Sequence, residues 1–389
     1  MNTSNPSSIA TDTAAAPGEP SSLTPAEDEL IQAAAALAAQ AAAETDRDEL
    51  QGETVLERLG ALGALSLGLD RDAAATDGGS DLSAYQRLLE AVASECMSSA
   101  FSLWAHRMVI EYLRAAGGFD DVLGDLLAGR RAGSIAMATA MQEVAGVGAV
   151  PTLAVREGDG YRVSGRIAWA SNIAPGSVVV FPARVVSSLD DTTDSGERVI
   201  LVTTSGTEGL STNEVQDLLA LSATRSAMLK FESVFVGAES VVANSFDASR
   251  ARRSTHLLLQ AAFCAGLAGR SLEEAAKQLQ GPGGVLAARH AQLRAELQEL
   301  DQTLRSYIDE IDTVDQQSVT VLRYQLARLA GVATRHELTL VGGRGYVTTT
   351  ATNRRLREAS FLAVQSPSEV QLLQELETYG VHPTETYTI

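Results

Sequence analysis

The chain has 389 residues, 45% of them hydrophobic, which is enough to build a large core of two or three structural units. Its formal net charge of −19 argues against nucleic-acid binding, because such proteins need a basic face that neutralises phosphates. The same charge disfavours adhesion to anionic membranes. We therefore expect neither a nucleic-acid nor a membrane partner.

Residues 1–22 are rich in Ser, Thr, Pro and Ala and lack the basic and apolar regions of a secretory signal. We expect a disordered tail here. Cys96 and Cys264 lie in apolar helical surroundings, which favours buried free thiols in a reducing compartment. The five histidines lack metal-ligand spacing, so no metal site is expected. Together these features predict a cytoplasmic protein.

Residues 23–133 show the hydrophobic period of amphipathic helices. The pattern begins at Thr24-Pro25-Ala26-Glu27, a capping box with proline at the first helical position. Further helical segments are predicted at residues 30–43, 50–65, 82–93 and 99–115. We predict an N-terminal helical domain.

Residues 134–242 change to the period of two that is typical of strands. Strands are predicted at residues 135–141, 161–169, 177–186, 199–204 and 228–236. Short strands with short connections favour an antiparallel barrel or sandwich over βαβ units.

Residues 243–389 are helical again. Apolar residues at three-and-four spacing form one stripe in this region: Leu293, Leu297, Leu300, Leu304, Ile308 and Ile311. A stripe of this length favours packing in a four-helix bundle over a coiled coil. The predicted fold class is therefore α+β: a helical domain, a β domain and a C-terminal four-helix bundle.

Five short segments, in this order along the chain, resemble those of acyl-CoA dehydrogenases. They are LERLGALG at 56–63, GDGYRVSG at 158–165, IAWASN at 167–172, GLA at 266–268 and LVGGRGY at 340–346. Each match alone is weak, but a collinear set of five is strong. The resemblance implies the same order of helices, β domain and helical bundle, together with a flavin cofactor.

By this resemblance, Trp169 would stack near the isoalloxazine ring and the Ser171 hydroxyl would bond near its reactive nitrogen. A strand tryptophan that fills the core is the alternative. Gly342-Gly343 would allow close approach of a dinucleotide held by a neighbouring subunit, since glycine has no Cβ. The same pair is also compatible with a helix C-terminal cap.

The segment VQSPSEVQ at 364–371 departs from the family pattern, which has YEGTxxIQ with the catalytic glutamate. That base removes the α-proton of an acyl thioester while hydride passes to the flavin. Gln365 or Ser366 takes its place here, depending on the alignment, and neither is a base at neutral pH. Glu369 is a tempting substitute, but Ser366-Pro367-Ser368-Glu369 itself predicts a capping box with proline at the first helical position.

His256 is the best replacement base, because it falls where some relatives place an alternative catalytic glutamate. An imidazole can accept or donate a proton near neutral pH. A histidine on an apolar helix is also commonly a hydrogen-bonded core residue. His106, beside Trp104 on an early helix, could line the substrate cavity.

Three further departures concern the cofactor. GPGGV at 281–285 replaces the family's RxxFG, which holds the FAD pyrophosphate, and Thr339 replaces the glutamine before the Gly-Gly pair. QEVAGV, which begins at Gln142, stands where the family has the flavin-binding TEPxxGSD loop. FAD remains the cofactor that the resemblance implies. FMN, or a reduced flavin delivered by a partner reductase, would need fewer of the missing contacts.

Three functions follow from this pattern. The first is a flavin-dependent oxidoreductase that acts on an acyl-CoA thioester or another small organic substrate with non-standard catalytic residues. The second is a reduced-flavin-dependent monooxygenase, for which the glutamate is unnecessary. The third is a non-catalytic homologue that binds a flavin or an acyl group. The resemblance also implies a homotetramer or homodimer.

Overall fold

The computed structural model of the protein describes residues 23–69, 82–190 and 193–382. The tail expected at residues 1–22 lies outside the described residues. Across the ranges that are described, none of the helices combines the length and apolar character needed to cross a membrane.

The first region is helical, as predicted. Its helices are α1 (Pro25–Asp46), α2 (Gly52–Ala61), α3 (Leu82–Glu95), α4 (Met97–Ala116) and α5 (Asp120–Leu127). The capping box at the start of α1 is confirmed: the Glu27 amide donates to Thr24 Oγ1 at 3.3 Å, and the Thr24 amide donates to Glu27 Oε2 at 2.8 Å. The amides of the N-cap residue Thr24 and of Glu27 are thereby satisfied.

The middle region forms one sheet, and the short helix α6 (Ala138–Val144) lies between its first two strands along the chain. Its strands are β1 (Gly133–Ile135), β2 (Leu153–Glu157), β3 (Gly160–Ala170), β4 (Val178–Val186), β5 (Arg198–Thr204), β6 (Leu210–Glu214), β7 (Ala227–Val236) and β8 (Val241–Ala243). The sheet is mixed and not wholly antiparallel as predicted, because β1 and β2 pair with β4 in parallel while the other pairs are antiparallel.

The strand predicted at residues 135–141 is wrong beyond Ile135, where α6 soon begins. Alanine and methionine, which dominate this stretch, favour helix. The predicted hairpin at Gly158-Asp159 is present: Glu157 pairs with Gly160 across the turn. A Cβ on Gly160 would lie 2.4 Å from the Val236 carbonyl oxygen, so β7 can approach only a glycine there.

The last region contains α7 (Asp247–Ala251), α8 (Arg253–Ala276), α9 (Ala287–Asp309), α10 (Gln316–Val341), α11 (Ala351–Phe361) and α12 (Glu369–Thr378). Helices α8 to α11 pack on one another as a bundle, and α3 packs against α8. The apolar stripe of α9 faces this core through Leu293, Leu300, Leu304 and Ile308. The predicted fold class is confirmed.

One hydrophobic cluster spans the first and last helical regions, and a second fills the β region. Gly266 shows how closely the two helical regions meet: a Cβ there would lie 2.1 Å from the Glu90 carbonyl oxygen of α3. Cys96 and Cys264 are buried free thiols in the first cluster, as predicted. The domain limits 23–133, 134–242 and 243–389 stay a prediction.

Candidate functional site

The structure brings the three predicted catalytic residues together. His256 lies in the first turn of α8, and Gln365 and Ser366 lie between α11 and α12. Gln260, one turn further along α8, joins them: its Nε2 lies 3.1 Å from His256 Nε2 and donates to the Ser366 carbonyl at 2.9 Å. These side chains form one buried polar cluster inside an otherwise apolar bundle.

Arg323 of α10 is the member of this cluster that the sequence analysis missed. Its side chain is fully buried. Its Nε donates to Gln260 Oε1 at 2.9 Å, and its Nη2 donates to Gln365 Oε1 at 2.7 Å. Burial lowers the pKa of Arg323 from its usual value. The signal in the sequence was an arginine between Leu322 and Tyr324 on the apolar face of a predicted helix.

His256 is a buried, neutral imidazole. The Trp104 ring meets it edge-on, with the ring centroids 4.7 Å apart, and Trp104 Nε1 donates to the His256 carbonyl at 3.3 Å. Burial, followed by the positive charge of Arg253, lowers the pKa of His256 to about 3. A group with so low a pKa is a weak base.

The nearest carboxylates are engaged elsewhere. Glu375 forms a buried ion pair with Arg253, and Glu369 pairs with Arg328 at 2.9 Å. The capping box predicted from Ser366 is wrong, because Ser368 caps α12 by accepting from the Gln371 amide at 3.3 Å. The Ser366 carbonyl instead accepts from Gln260 inside the cluster, which draws Ser366 away from the helix end.

His106 lies on α4, and both of its ring nitrogens are bound by the backbone. The Gly133 amide donates to Nδ1 at 2.9 Å, so Nε2 carries the hydrogen and donates to the Leu126 carbonyl at 3.0 Å. Burial lowers the pKa of His106 to about 4. His106 therefore ties α4 to α5 and β1, and it offers no free ring nitrogen to a substrate.

Trp169, near the end of β3, is 58% exposed, so it does not fill the core. Ser171 follows it, and its Oγ lies 2.8 Å from Ser226 Oγ. Asn172 fixes the end of this segment by donating to the Ser102 carbonyl at 2.8 Å and the Gly133 carbonyl at 3.0 Å. Because Ser102 and Trp104 share α4, this helix connects the Trp169 segment to the His256 cluster.

The predicted cofactor residues on α10 lie apart from the cluster. Gly342 ends α10 with φ +70°, which favours glycine, and nothing lies within 4 Å of a Cβ built on Gly342 or Gly343. Both glycines are exposed. Thr339 is exposed too, and its hydroxyl donates to the Arg335 carbonyl of its own helix at 2.9 Å. Gly342 thus caps α10, and Gly342 and Gly343 together expose their backbone to solvent.

These features fit a flavin ring better than they fit the ADP half of FAD. Trp169 offers an exposed aromatic face. Thr224 donates to the Leu221 carbonyl, so Ser226 donates to Thr224 and Ser171 donates to Ser226, which leaves the Ser171 oxygen able to accept a hydrogen bond. In contrast, the segment 281–285 ends in the exposed apolar Val285, where a pyrophosphate would need donors. Gln142 is half-buried on α6, and its carbonyl accepts from the Val147 amide at 2.9 Å.

Two cavities lie elsewhere in the described chain. One of about 750 Å³ lies between α3, α8 and α9, and Glu90, Gly266, Asp301 and Arg305 are among its lining residues. The other, about 320 Å³, lies between the end of α1 and the start of α11. Neither is lined by Trp169 or His256.

No known protein family and no curated protein matches the sequence. Solved structures do match the fold. Butyryl-CoA dehydrogenase from Megasphaera elsdenii aligns with a TM-score of 0.77 at 16% identity over 93% of this chain and 99% of that one. Glutaryl-CoA dehydrogenase from Mycobacterium smegmatis aligns with a TM-score of 0.77 at 19% identity over 93% and 96% of the two chains.

KijD3, in complex with FMN and dTDP-3-amino-2,3,6-trideoxy-4-keto-3-methyl-D-glucose, aligns with a TM-score of 0.73 at 20% identity over 94% of this chain and 97% of that one. Identities this low show the fold alone. The chain therefore has the acyl-CoA dehydrogenase fold, and the resemblance seen in its sequence is confirmed at that level.

Proposed function

We propose that the protein is a flavin-dependent oxidoreductase that uses a reduced flavin and oxygen to oxidise a small organic substrate. The fold, the exposed Trp169 ring and the Ser171 hydroxyl support the flavin. When bound, a reduced flavin supplies two electrons and a means of activating oxygen. Trp169 would hold one face of the ring, and the Ser171 hydroxyl oxygen would accept a hydrogen bond from an N–H group of the reduced ring.

The observation that carries the monooxygenase proposal is the Arg323–Gln365 contact of 2.7 Å. Gln365 takes the position of the family's glutamate in one of the two possible alignments, and a neutral amide held by a cation cannot accept an α-proton. His256, with its pKa lowered to about 3, is a poor replacement base. A reaction that needs no carboxylate therefore fits this site better than acyl-CoA dehydrogenation.

The chain's own residues have definable tasks in this proposal. Trp104 and the apolar bundle around His256 exclude water from the cluster. Gln260 orients His256 and holds the Ser366 carbonyl, and Arg323 orients both glutamines. The cluster would bind and position the substrate without removing a proton from it.

The loss of donors around Val285 and Thr339 favours FMN, or a reduced flavin supplied by a partner reductase, over tightly held FAD. KijD3, which shares the fold, was crystallised with FMN. A homotetramer or homodimer is proposed with it, because the exposed Gly342-Gly343 backbone leaves room for a second chain or its cofactor.

Absorbance and fluorescence titrations of the purified protein with FMN and FAD, oxidised and anaerobically reduced, test this proposal. We expect the reduced flavin to bind more tightly than the oxidised form, and bound reduced flavin to consume oxygen on mixing. Bleaching of bound oxidised flavin by butyryl-CoA would instead establish a dehydrogenase. Failure to bind either flavin in either redox state would leave a non-catalytic homologue.

A further inference from the structure

Three buried polar atoms in the cluster around Gln260 have no hydrogen-bond partner among the described residues. They are Arg323 Nη1, His256 Nδ1 and Ser366 Oγ. Each belongs to a residue that Gln260 contacts directly. A buried polar group without a partner is costly, so three in one cluster need an explanation.

The hydrogen-bond network shows that all three atoms can donate. Arg323 has only donors, so Gln260 must present its oxygen to Arg323 and its nitrogen to His256. His256 Nε2 therefore accepts, and the neutral ring carries its hydrogen on Nδ1. The Ser366 hydroxyl can also donate. The three atoms without partners are thus all hydrogen-bond donors, and a set of donors favours binding of an anion.

The charge of the cluster points the same way. Arg323 bonds only to neutral amides among the described residues. The neighbouring Cys264 thiol is neutral, because burial raises its pKa to about 11, and Glu369 already pairs with Arg328. An isolated buried cation is unfavourable unless it is paired. Glu369, whose charge also acts on Arg323, is shared with Arg328, so the described residues balance the charge of Arg323 only in part and a bound anion would complete the balance.

We infer that Arg323, His256 and Ser366 form a binding site for a carboxylate group of the substrate. A carboxylate carries one negative charge on two oxygens, which matches one cation and three donor atoms. A phosphate would bring more charge and more oxygens than these donors can satisfy. Ser366 is half-buried, whereas Arg323, His256 and Gln365 are buried, so the cluster comes nearest to the surface at Ser366. As a statement about substrate class, this inference rests on the proposed oxidoreductase function.

Acetate and its neutral isostere acetamide test the site on the flavin-free protein. We expect acetate to raise the melting temperature at constant ionic strength, because it binds the folded state, and acetamide to leave it unchanged. In Arg323→Gln we expect calorimetry to show acetate affinity reduced by about tenfold or more. Arg335→Gln, at an exposed position of the same helix outside the cluster, should bind acetate as the wild type does.

Equal responses to acetate and acetamide, or undiminished acetate binding by folded Arg323→Gln, would overturn the site. Should Arg323→Gln not fold, Ser366→Ala removes one donor and keeps the cation, and it should weaken acetate binding several-fold; unchanged affinity would contradict us. Flavin titrations separate this inference from the proposed function. If the protein binds acetate but no flavin, the carboxylate site stands and the proposed oxidoreductase function is wrong. If it binds flavin but no acetate, only the carboxylate site is wrong.

Discussion

Arg323 Nη2 donates to Gln365 Oε1 at 2.7 Å, and both side chains are buried in the helical bundle. In one alignment, Gln365 stands where acyl-CoA dehydrogenases carry their catalytic glutamate. The charge here is thereby the opposite of that in the dehydrogenases: a neutral amide takes the place of the carboxylate, and the charged group beside it is the guanidinium of Arg323. That reversal connects the missing base, the proposed chemistry and the proposed carboxylate site.

Replacing Gln365 by Glu should provide Arg323 with an internal counter-ion. The new carboxylate would occupy the position of an amide oxygen that lies 2.7 Å from Nη2. We expect acetate affinity, measured by calorimetry, to fall by about tenfold or more, because the ligand must now compete with a built-in charge. Gln365→Asn, which stays neutral, serves as the control. Wild-type acetate affinity in Gln365→Glu would show that Arg323 is not the anchor.

Trp169→Ala should weaken flavin binding without weakening the fold. Loss of one aromatic stack contributes about 1–1.5 kcal/mol, so the dissociation constant should rise by about tenfold. The indole is 58% exposed, so the free energy of unfolding should change by less than about 0.5 kcal/mol. Phe235→Ala, which removes another exposed aromatic ring from the same sheet, is the matched control. Equal effects of the two substitutions on flavin affinity would remove Trp169 from the site.

Two glycines of α8 should respond in opposite ways to alanine. A Cβ on Gly266 would lie 2.1 Å from the Glu90 carbonyl oxygen, which is backbone and cannot swing aside. We expect Gly266→Ala to lower the free energy of unfolding by about 3 kcal/mol in urea titrations. A Cβ on Gly269 would meet only Leu297, at an ordinary 3.7 Å, so Gly269→Ala should stabilise the helix by up to about 1 kcal/mol. Similar stabilities for the two variants would contradict the close approach of α3 and α8.

Glu90 should make the protein less stable as the pH rises. Burial, with a contribution from the nearby Asp301, raises the pKa of Glu90 to about 7. The native state then holds a proton that the unfolded state releases near pH 4.5, so the stabilisation present at acid pH is lost as the pH approaches and passes 7.

The Glu90 side chain is still 28% exposed, which limits the expected loss to about 1–2 kcal/mol. Urea titrations of the wild type and Glu90→Gln between pH 4.5 and 8 measure it, and the variant should lack this part of the pH dependence. Parallel curves for the two proteins would show that Glu90 titrates normally.

Local patterns in the sequence predicted most of the regular structure. The long helices α8 and α10 and the strands β3, β4, β5 and β7 were predicted, because their hydrophobic periods extend over many residues. The short strands β2, β6 and β8 were not, since three to five residues carry too little periodicity. The helix end at Ser366 was misplaced because the capping pattern is local, whereas Gln260 holds the Ser366 carbonyl from another helix.

The sequence alone determined the order of helices, sheet and helical bundle, the resemblance behind it, and the replacement of the glutamate segment by VQSPSEVQ. Only the tertiary structure placed Arg323 between Gln260 and Gln365 and left three donors without partners. The physical reason is that hydrophobic periodicity reports which face of a helix is buried, but not which side chains of other helices it meets. Contacts between residues 63 and 42 positions apart arise only when those helices pack.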